Sequence, residues 1–218
     1  MDERTSGLIL RTRPLTETSL IVNWLTPDLG RLATVAKGAR RPKSPFRGKL
    51  DLFYLADFSF ARSRRSELHI LREVSLRETR DALRHELAYL QQAAYCTSLI
   101  EQTTETETPL PSIYQLLNGF LAQLTLDPPQ ARTVLAFEIK LLNELGLQPD
   151  LKEARLSPGA RSSLEYFLAN DWAALPRLRL SAAQVLELRH YLHEFLLYHL
   201  GKIHRGRAAA LAQPGAEG

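Results

Sequence analysis

Apolar and polar positions change their period once along this chain, near residue 78. Ahead of that point the apolar segments are short, β-branched or alternating, and punctuated by turn residues, as strands are. "GLILRTRPL" (7–15) predicts a first strand closed by Pro14. "SLIVNWLTP" (19–27) and "RLATVAKGA" (31–39) flank "DLG" (28–30), where Gly30 suits a turn that needs positive φ, so 19–39 predicts a hairpin. "FYLADFSFARS" (53–63) puts Tyr54, Ala56, Phe58 and Phe60 on one face by period two. "LHILREVSL" (68–76) follows the polar turn "RRSE" (64–67) as a fifth strand. Five strands in about 75 residues are too few for a sandwich and fit a small closed barrel of the oligonucleotide/oligosaccharide-binding (OB) type, whose closure leaves no exposed sheet edge.

Beyond residue 80 the period is helical. In "DALRHELAYLQQAAYCTSLIEQ" (81–102), Leu83, Leu87, Leu90 and Ala94 make an i, i+4, i+7, i+11 stripe. "TTETETPLPS" (103–112) reads as a polar connector. "IYQLLNGFLAQL" (113–124), stopped ahead of Pro128-Pro129, and "ARTVLAFEIKLLNEL" (131–145), ended by Gly146, predict two further helices. Ser157-Pro158 supplies an N-cap and a first-turn proline for a fourth, and Ser181 with Gln184 has capping-box spacing for a fifth. The whole predicts an α+β chain: an OB-fold β-barrel domain over 1–78, an all-α helical domain over 79–207, and a flexible tail over 208–218 with little apolar bulk. There is no internal repeat.

Composition adds one strong feature. With 44% apolar and 24% charged residues the chain is ordinary for a globular protein. No apolar run approaches the ~20 residues of a membrane span, and "MDERTSG" lacks the basic start and apolar stretch of a signal peptide. Cys96 is the single cysteine, which precludes an internal disulfide and a cysteine-cluster zinc site. These points predict a cytoplasmic protein with no membrane partner. The net charge of +4 conceals an asymmetry: residues 1–80 carry 16 Lys and Arg against 9 Asp and Glu, and residues 81–218 carry 12 against 15. The excess concentrates in "VAKGARRPKSPFRGKL" (35–50), where Lys37, Arg40, Arg41, Lys43, Arg47 and Lys49 occur with no acid among them. Arg62, Arg64 and Arg65 add to it at the last hairpin. A solvated face accounts for a charge run; so does a surface that holds a polyanion.

The sequence carries no motif of catalytic chemistry. Gly48-Lys49 and Gly201-Lys202 lack the rest of a P-loop, and no G-x-G-x-x-G or G-x-S-x-G occurs. Cys96 lies mid-helix among apolar neighbours, and no carboxylate–histidine metal motif frames His190, His193 and His199. Glu101, Glu105 and Glu107 lie at a helix end and in the connector, a poor place for a rigid acid/base pair. No enzyme activity and no cofactor are therefore expected. Binding remains. Single-stranded nucleic acid is held by cations along its backbone and by rings that stack on bases. The cations are those named; the candidate rings are Phe46, which either stacks on a base or tucks into the barrel, and Trp24, which is otherwise core. Phe53, Tyr54, Phe58 and Phe60 fit the barrel interior. Pro42, Pro45, Gly38 and Gly48 limit and shape the basic loop, so less ordering entropy is lost on binding.

Four stretches in this order resemble the RecO family of bacterial recombination mediators. "RPLTETSLIVNWLTPDLGRLATVAKGARRPKS" is similar to its E-T/S-S, hairpin and V-A-K-G-A-R segment; "GKLDLFYLADFSF" to its G-x-L-x-x-F; "FEIKLLNELGLQPDL" (137–151) to F-E-L-R-L-L-x-x-L-G-x-x-P-x-L; "YLHEFLLYHLGKIHRGR" to its closing helix, with Arg205-Gly206-Arg207 in place of K-S-R. The resemblance implies an OB domain followed by a helical domain. It implies binding of single- and double-stranded DNA, annealing of complementary strands, and displacement of single-strand-binding protein. It further implies action with RecR in loading RecA, a functional link to RecF, a nucleoid-associated place in the cytoplasm, and no nucleotide hydrolysis by the chain itself. Family members hold the acidic, Phe-ended tail of single-strand-binding protein on the helical domain. Lys140, at the R of F-E-L-R, and Arg132 are the candidates for that contact here, and a solvated helix face explains them equally. One departure stands out. Where many members carry a four-cysteine zinc module after P-x-L, "PDLKEA" passes straight into "RLSPGARSSLEYF", so no zinc is expected. The loop chemistry taken alone also admits an OB protein for structured RNA, such as a ribosome-assembly factor.

Overall fold

The first strand is longer than its apolar segment. In a computed structural model that describes residues 2–212, β1 spans Asp2–Pro14, followed by β2 (Leu20–Thr26), β3 (Gly30–Ala36), β4 (Leu55–Ala61) and β5 (Leu68–Glu78). The N-terminal half of β1 gave no strand signal because Asp2–Ser6 offers no apolar face. Its backbone is nevertheless fully paired, with Asp2–Leu8 against Leu55–Ala61 of β4. From Leu8 to Pro14 the strand pairs with β2, interrupted by a bulge between Ile9 and Arg11. The sheet closes in the order β1-β2-β3-β5-β4 and returns to β1, with β3 and β5 parallel and the other pairs antiparallel. The fold is thus α+β with an N-terminal OB barrel, as the strand count implied.

Period two delivers the barrel core. Ala56, Phe58 and Phe60 of β4 are buried together with Ile9, Val22 and Trp24. Trp24 is fully buried, stacks on Phe58 at 4.0 Å and donates from Nε1 to Thr34 Oγ1 at 2.8 Å, so its polar edge is satisfied inside the barrel and the ring is core. β4 starts later than predicted because Phe53 takes φ 65°, outside strand geometry. Its amide donates to Ile9 O (2.8 Å) and its ring is buried.

The chain divides into two compact units, Met1–Asp81 with Thr104–Gln115, and Ala82–Thr103 with Leu116–Gly218. The stretch expected to be a connector within the helical part (103–112) is therefore, from Thr104 on, part of the barrel unit, together with the first residues of the following helix. Arg31 and Thr106 form a parallel bridge, and the Glu107 amide donates to Arg31 O at 2.7 Å. Gly30 takes φ 68° in the β2–β3 turn, and a Cβ there would run into the Thr108 backbone, so the glycine is required twice over.

In the second unit α1 spans Leu87–Thr103, α3 Ala131–Glu144, α4 Pro158–Ala169 and α5 Ala182–Leu200; α2 (Pro111–Leu124) bridges the two units in sequence. Ser157 and Ser181 cap as their spacing implied, the latter in a full capping box with Gln184. The α1 stripe needs correction. Residues 81–84 form a 3₁₀ turn, the helix begins at Leu87, and Leu87 and Ala94 are exposed. The buried face carries Tyr89, Gln92, Ala93, Cys96, Leu99 and Ile100. It escaped the apolar pattern because Gln92 occupies it, its Nε2 donating to Gln130 O and Ala210 O at 3.1 Å each. The expected flexible tail also differs over 208–212. Arg207–Ala210 forms a short helix, α6, with Ala210 and Leu211 buried; residues 213–218 lie outside the described residues. No helix among the described residues is long and apolar enough to cross a membrane.

Candidate nucleic-acid interface

The basic loop between β3 and β4 is a chain of turns. Backbone N–H groups of Arg41, Ser44, Arg47 and Lys49 donate three residues back to the carbonyls of Gly38, Arg41, Ser44 and Phe46, at 3.0, 3.0, 3.2 and 3.0 Å. Gly38 and Gly48 take φ 68° and 72°, as those turns require. The β1–β2 loop anchors the start: Arg40 donates its amide to Thr18 O (3.0 Å) and Nη1 to Thr16 O (3.2 Å). Phe46 anchors the middle. It is 7% exposed and belongs to the barrel core. The sequence left Phe46 open as a stacking ring; the structure gives it to the core.

With the backbone satisfied internally and one ring driven inward, the charged side chains are displayed. Lys37, Arg40, Arg41, Lys43 and Arg47 are exposed and Lys49 is half-buried. Among the described residues these six enter no ion pair, whereas Asp57 pairs with Arg77 and Glu78 with Arg80. Such a display suits phosphates, and it favours affinity over sequence readout. An open groove of about 770 Å³ runs beside the loop, lined by Pro45, Phe46 and Lys49 on one side and Arg4, Arg72 and Ser75 of the sheet on the other. Because Phe46 is buried, Phe46→Ala should lower barrel stability by about 3–5 kcal/mol. Phe46→Leu should keep most of both stability and single-strand binding. Thermal melts beside binding titrations check this, and a stable Phe46→Leu protein that no longer bound would restore the stacking role.

At the last hairpin one of the three cations is already engaged. Arg64 and Arg65 are exposed. Arg62 is not free: it forks onto Glu3 through Nε (2.6 Å) and Nη2 (2.9 Å), and its Nη1 holds Glu107 at 2.8 Å. The Glu3 hydrogen bonds hold the guanidinium above its ordinary pKa and, reciprocally, hold the Glu3 carboxyl below the usual carboxylate range.

In the helical unit, Arg132 and Lys140 are turned to internal use. Arg132 is 7% exposed, donates to Leu178 O (3.1 Å) and lies 3.6 Å from Asp127; burial pulls its pKa down. Lys140 donates to Asn170 O at 2.7 Å over the Trp172 ring, and burial lowers its pKa too. Neither is displayed as a free cation. Among the described residues no group of three or more His, Cys, Asp or Glu side chains could hold a metal ion.

Comparison with known proteins agrees with this architecture. The family model "Recombination protein O N terminal" matches residues 1–80, and "Recombination protein O C terminal" matches residues 84–154. The chain belongs to the RecO family. It is similar to proteins named DNA repair protein RecO from Rhodopirellula baltica (28% identical, 82% of this chain and 74% of the relative), Alkaliphilus metalliredigens (31%, 78% and 65%) and Bacillus pumilus (28%, 92% and 80%).

Two of the stretches that carry the RecO likeness meet in space, which sequence reasoning missed. Glu138 of "FEIK" is fully buried and takes Arg207 of "RGR" in a two-pronged pair, Nε to Oε1 at 2.7 Å and Nη2 to Oε2 at 2.8 Å. Tyr95 donates to Glu138 Oε1 at 2.6 Å, and Arg207 Nη1 donates to Arg189 O at 3.2 Å. Burial, then the Glu138 charge, pushes the Tyr95 hydroxyl far up. Burial opposes the Arg207 charge, but the bonds to Glu138 outweigh it and hold its pKa above the ordinary value. The available signal was an acid midway along the helical region and a base at its end, each inside a family motif.

Proposed function

We propose that this chain is a DNA repair and recombination mediator that binds single- and double-stranded DNA and anneals complementary strands. With RecR, and with a functional link to RecF, it displaces single-strand-binding protein so that RecA can load. It does so without catalysing a covalent reaction and without a cofactor. The observation that carries the reading is the chain of turns over 37–49: an ordered loop on a closed OB barrel whose six cations enter no ion pair among the described residues. Membership of the RecO family and the names of its relatives support the same role. The direct test is annealing of complementary strands precoated with the cognate single-strand-binding protein, in chelator and without nucleotide. Annealing well above the protein-free rate is expected. Failure with coated strands while naked strands still anneal would remove the mediator role. Equal-charge structured RNA that outcompeted the DNA would point to an RNA-binding protein instead.

A further inference from the structure

Arg62 sits just past the end of β4 with a donor fork that suits a phosphate or a carboxylate. Here it is saturated by the chain's own carboxylates, Glu3 on Nε and Nη2 and Glu107 on Nη1. Glu107 reaches this place from outside the sheet, on the strap of residues 104–108. The strap is tied down at several points. Arg31 Nε donates to Thr104 Oγ1 at 2.8 Å and Arg31 Nη2 bonds to Thr104 O. The Glu107 amide bonds back to Arg31 O. The second Glu107 oxygen lies 2.7 Å from His69 Nε2. His69 Nδ1 accepts from the Ser63 amide at 3.3 Å, which assigns the ring proton to Nε2 and makes it a donor to Glu107. Glu107 achieves this at φ 55°, in the left-handed region that L residues avoid. Beside it opens a cleft of about 420 Å³ lined by Arg62, Ser63, Arg64, His69 and Thr106. A carboxylate therefore occupies, on two barrel side chains, a place with the donors of a phosphate site.

We propose that Glu107 stands in for a nucleic-acid phosphate: in the free protein the 104–108 strap holds the Arg62 site closed, and a bound strand displaces it. This rests on the DNA-binding reading above and adds its regulation. A lone phosphate competes poorly with a carboxylate tethered to the same chain. A strand already gripped by the 37–49 loop presents its next phosphates at comparably high effective concentration and can take the site over. The strap thereby selects for a polyanion long enough to reach from the basic loop to the β4–β5 loop.

The test compares the full chain with Glu107→Gln, Arg62→Ala and the double variant, binding a labelled single-stranded oligonucleotide of about 20 nucleotides across a salt series. Glutamine keeps an oxygen for the His69 donor while removing the charge. Glu107→Gln should bind about threefold or more tighter, with the log–log salt slope steeper by about 0.7, one further phosphate neutralised. Adding Arg62→Ala should abolish that gain, and Arg62→Ala should weaken the Glu107→Gln protein more than it weakens the wild type. An unchanged affinity and slope in Glu107→Gln, or a gain that survives Arg62→Ala, would overturn the proposal. A second measurement needs no variant: saturating oligonucleotide should speed cleavage of the wild-type strap by a glutamate-specific protease, and unchanged or slower cleavage counts against displacement. Salt-dependent binding by wild type with no difference in Glu107→Gln sinks only the strap; no binding by wild type sinks the DNA reading with it.

Discussion

Replacing Arg40, Arg41, Lys43 and Arg47 together with alanine should flatten the log–log salt dependence of single-strand binding by up to about 3 units, since each phosphate neutralised on a single strand contributes about 0.7. At low salt the variant should bind roughly tenfold or more weakly. The expectation is large because these side chains are exposed and enter no ion pair among the described residues, so their charge is available to a ligand. It is also clean. The loop is held by backbone turns, by the Arg40 amide on Thr18 O and by Phe46, none of which the substitutions remove. Two surface hydrogen bonds are lost, Arg40 to Thr16 O at 3.2 Å and Arg47 to Pro42 O at 3.4 Å. Surface changes of this kind usually alter stability by no more than about 0.5 kcal/mol. Anisotropy titrations between 50 and 200 mM salt, with a melting curve for each protein, check it. A folded four-fold variant with wild-type slope would place the DNA surface elsewhere.

Glu138→Ala should be the most damaging single substitution outside the barrel. It removes the acceptor for Nε and Nη2 of a guanidinium that is 7% exposed and leaves the Tyr95 hydroxyl without its partner. Breaking a buried pair from one side costs about 3–5 kcal/mol, because the remaining charge is left without compensation. Glu138→Gln should fall between, keeping an acceptor but not the charge. Glu138→Leu with Arg207→Met should recover much of the loss, since replacing both partners by apolar groups removes the stranded charge. Denaturant unfolding of the four proteins decides it. If Glu138→Ala and the double replacement were equally unstable, the pair's shape rather than its charge would be what matters.

Much of the barrel is legible in sequence because period two and turn residues are local signals. β2, β3 and the Phe58–Phe60 face follow from them, as does the Gly30 turn. What escaped is non-local. Asp2–Ser6 is polar on both faces and becomes strand only because β4 offers it a pairing partner. The buried face of α1 includes Gln92, whose burial depends on carbonyls at residues 130 and 210. Glu107 looks like one acid in a polar linker until Arg62 and His69 are placed beside it. The basic loop was readable as a cation cluster. Its internal turns and the inward Phe46 were not, because nothing in the local pattern distinguishes a stacking ring from an anchor.

The barrel unit is discontinuous along the chain, and this imposes an order on its making. Synthesis delivers all five strands by Glu78, but the segment that bonds to Arg31, Arg62 and His69 lies at 104–108, after α1. On the ribosome the strands emerge, and can close, while Arg62 still lacks one of its two carboxylate partners and the β2–β3 turn has no neighbour at Gly30. A nascent or truncated chain ending near residue 81 is thus a barrel with its last hairpin uncovered. Fragments cut there would report the behaviour of an unfinished unit, and those extended through residue 115 that of a completed one.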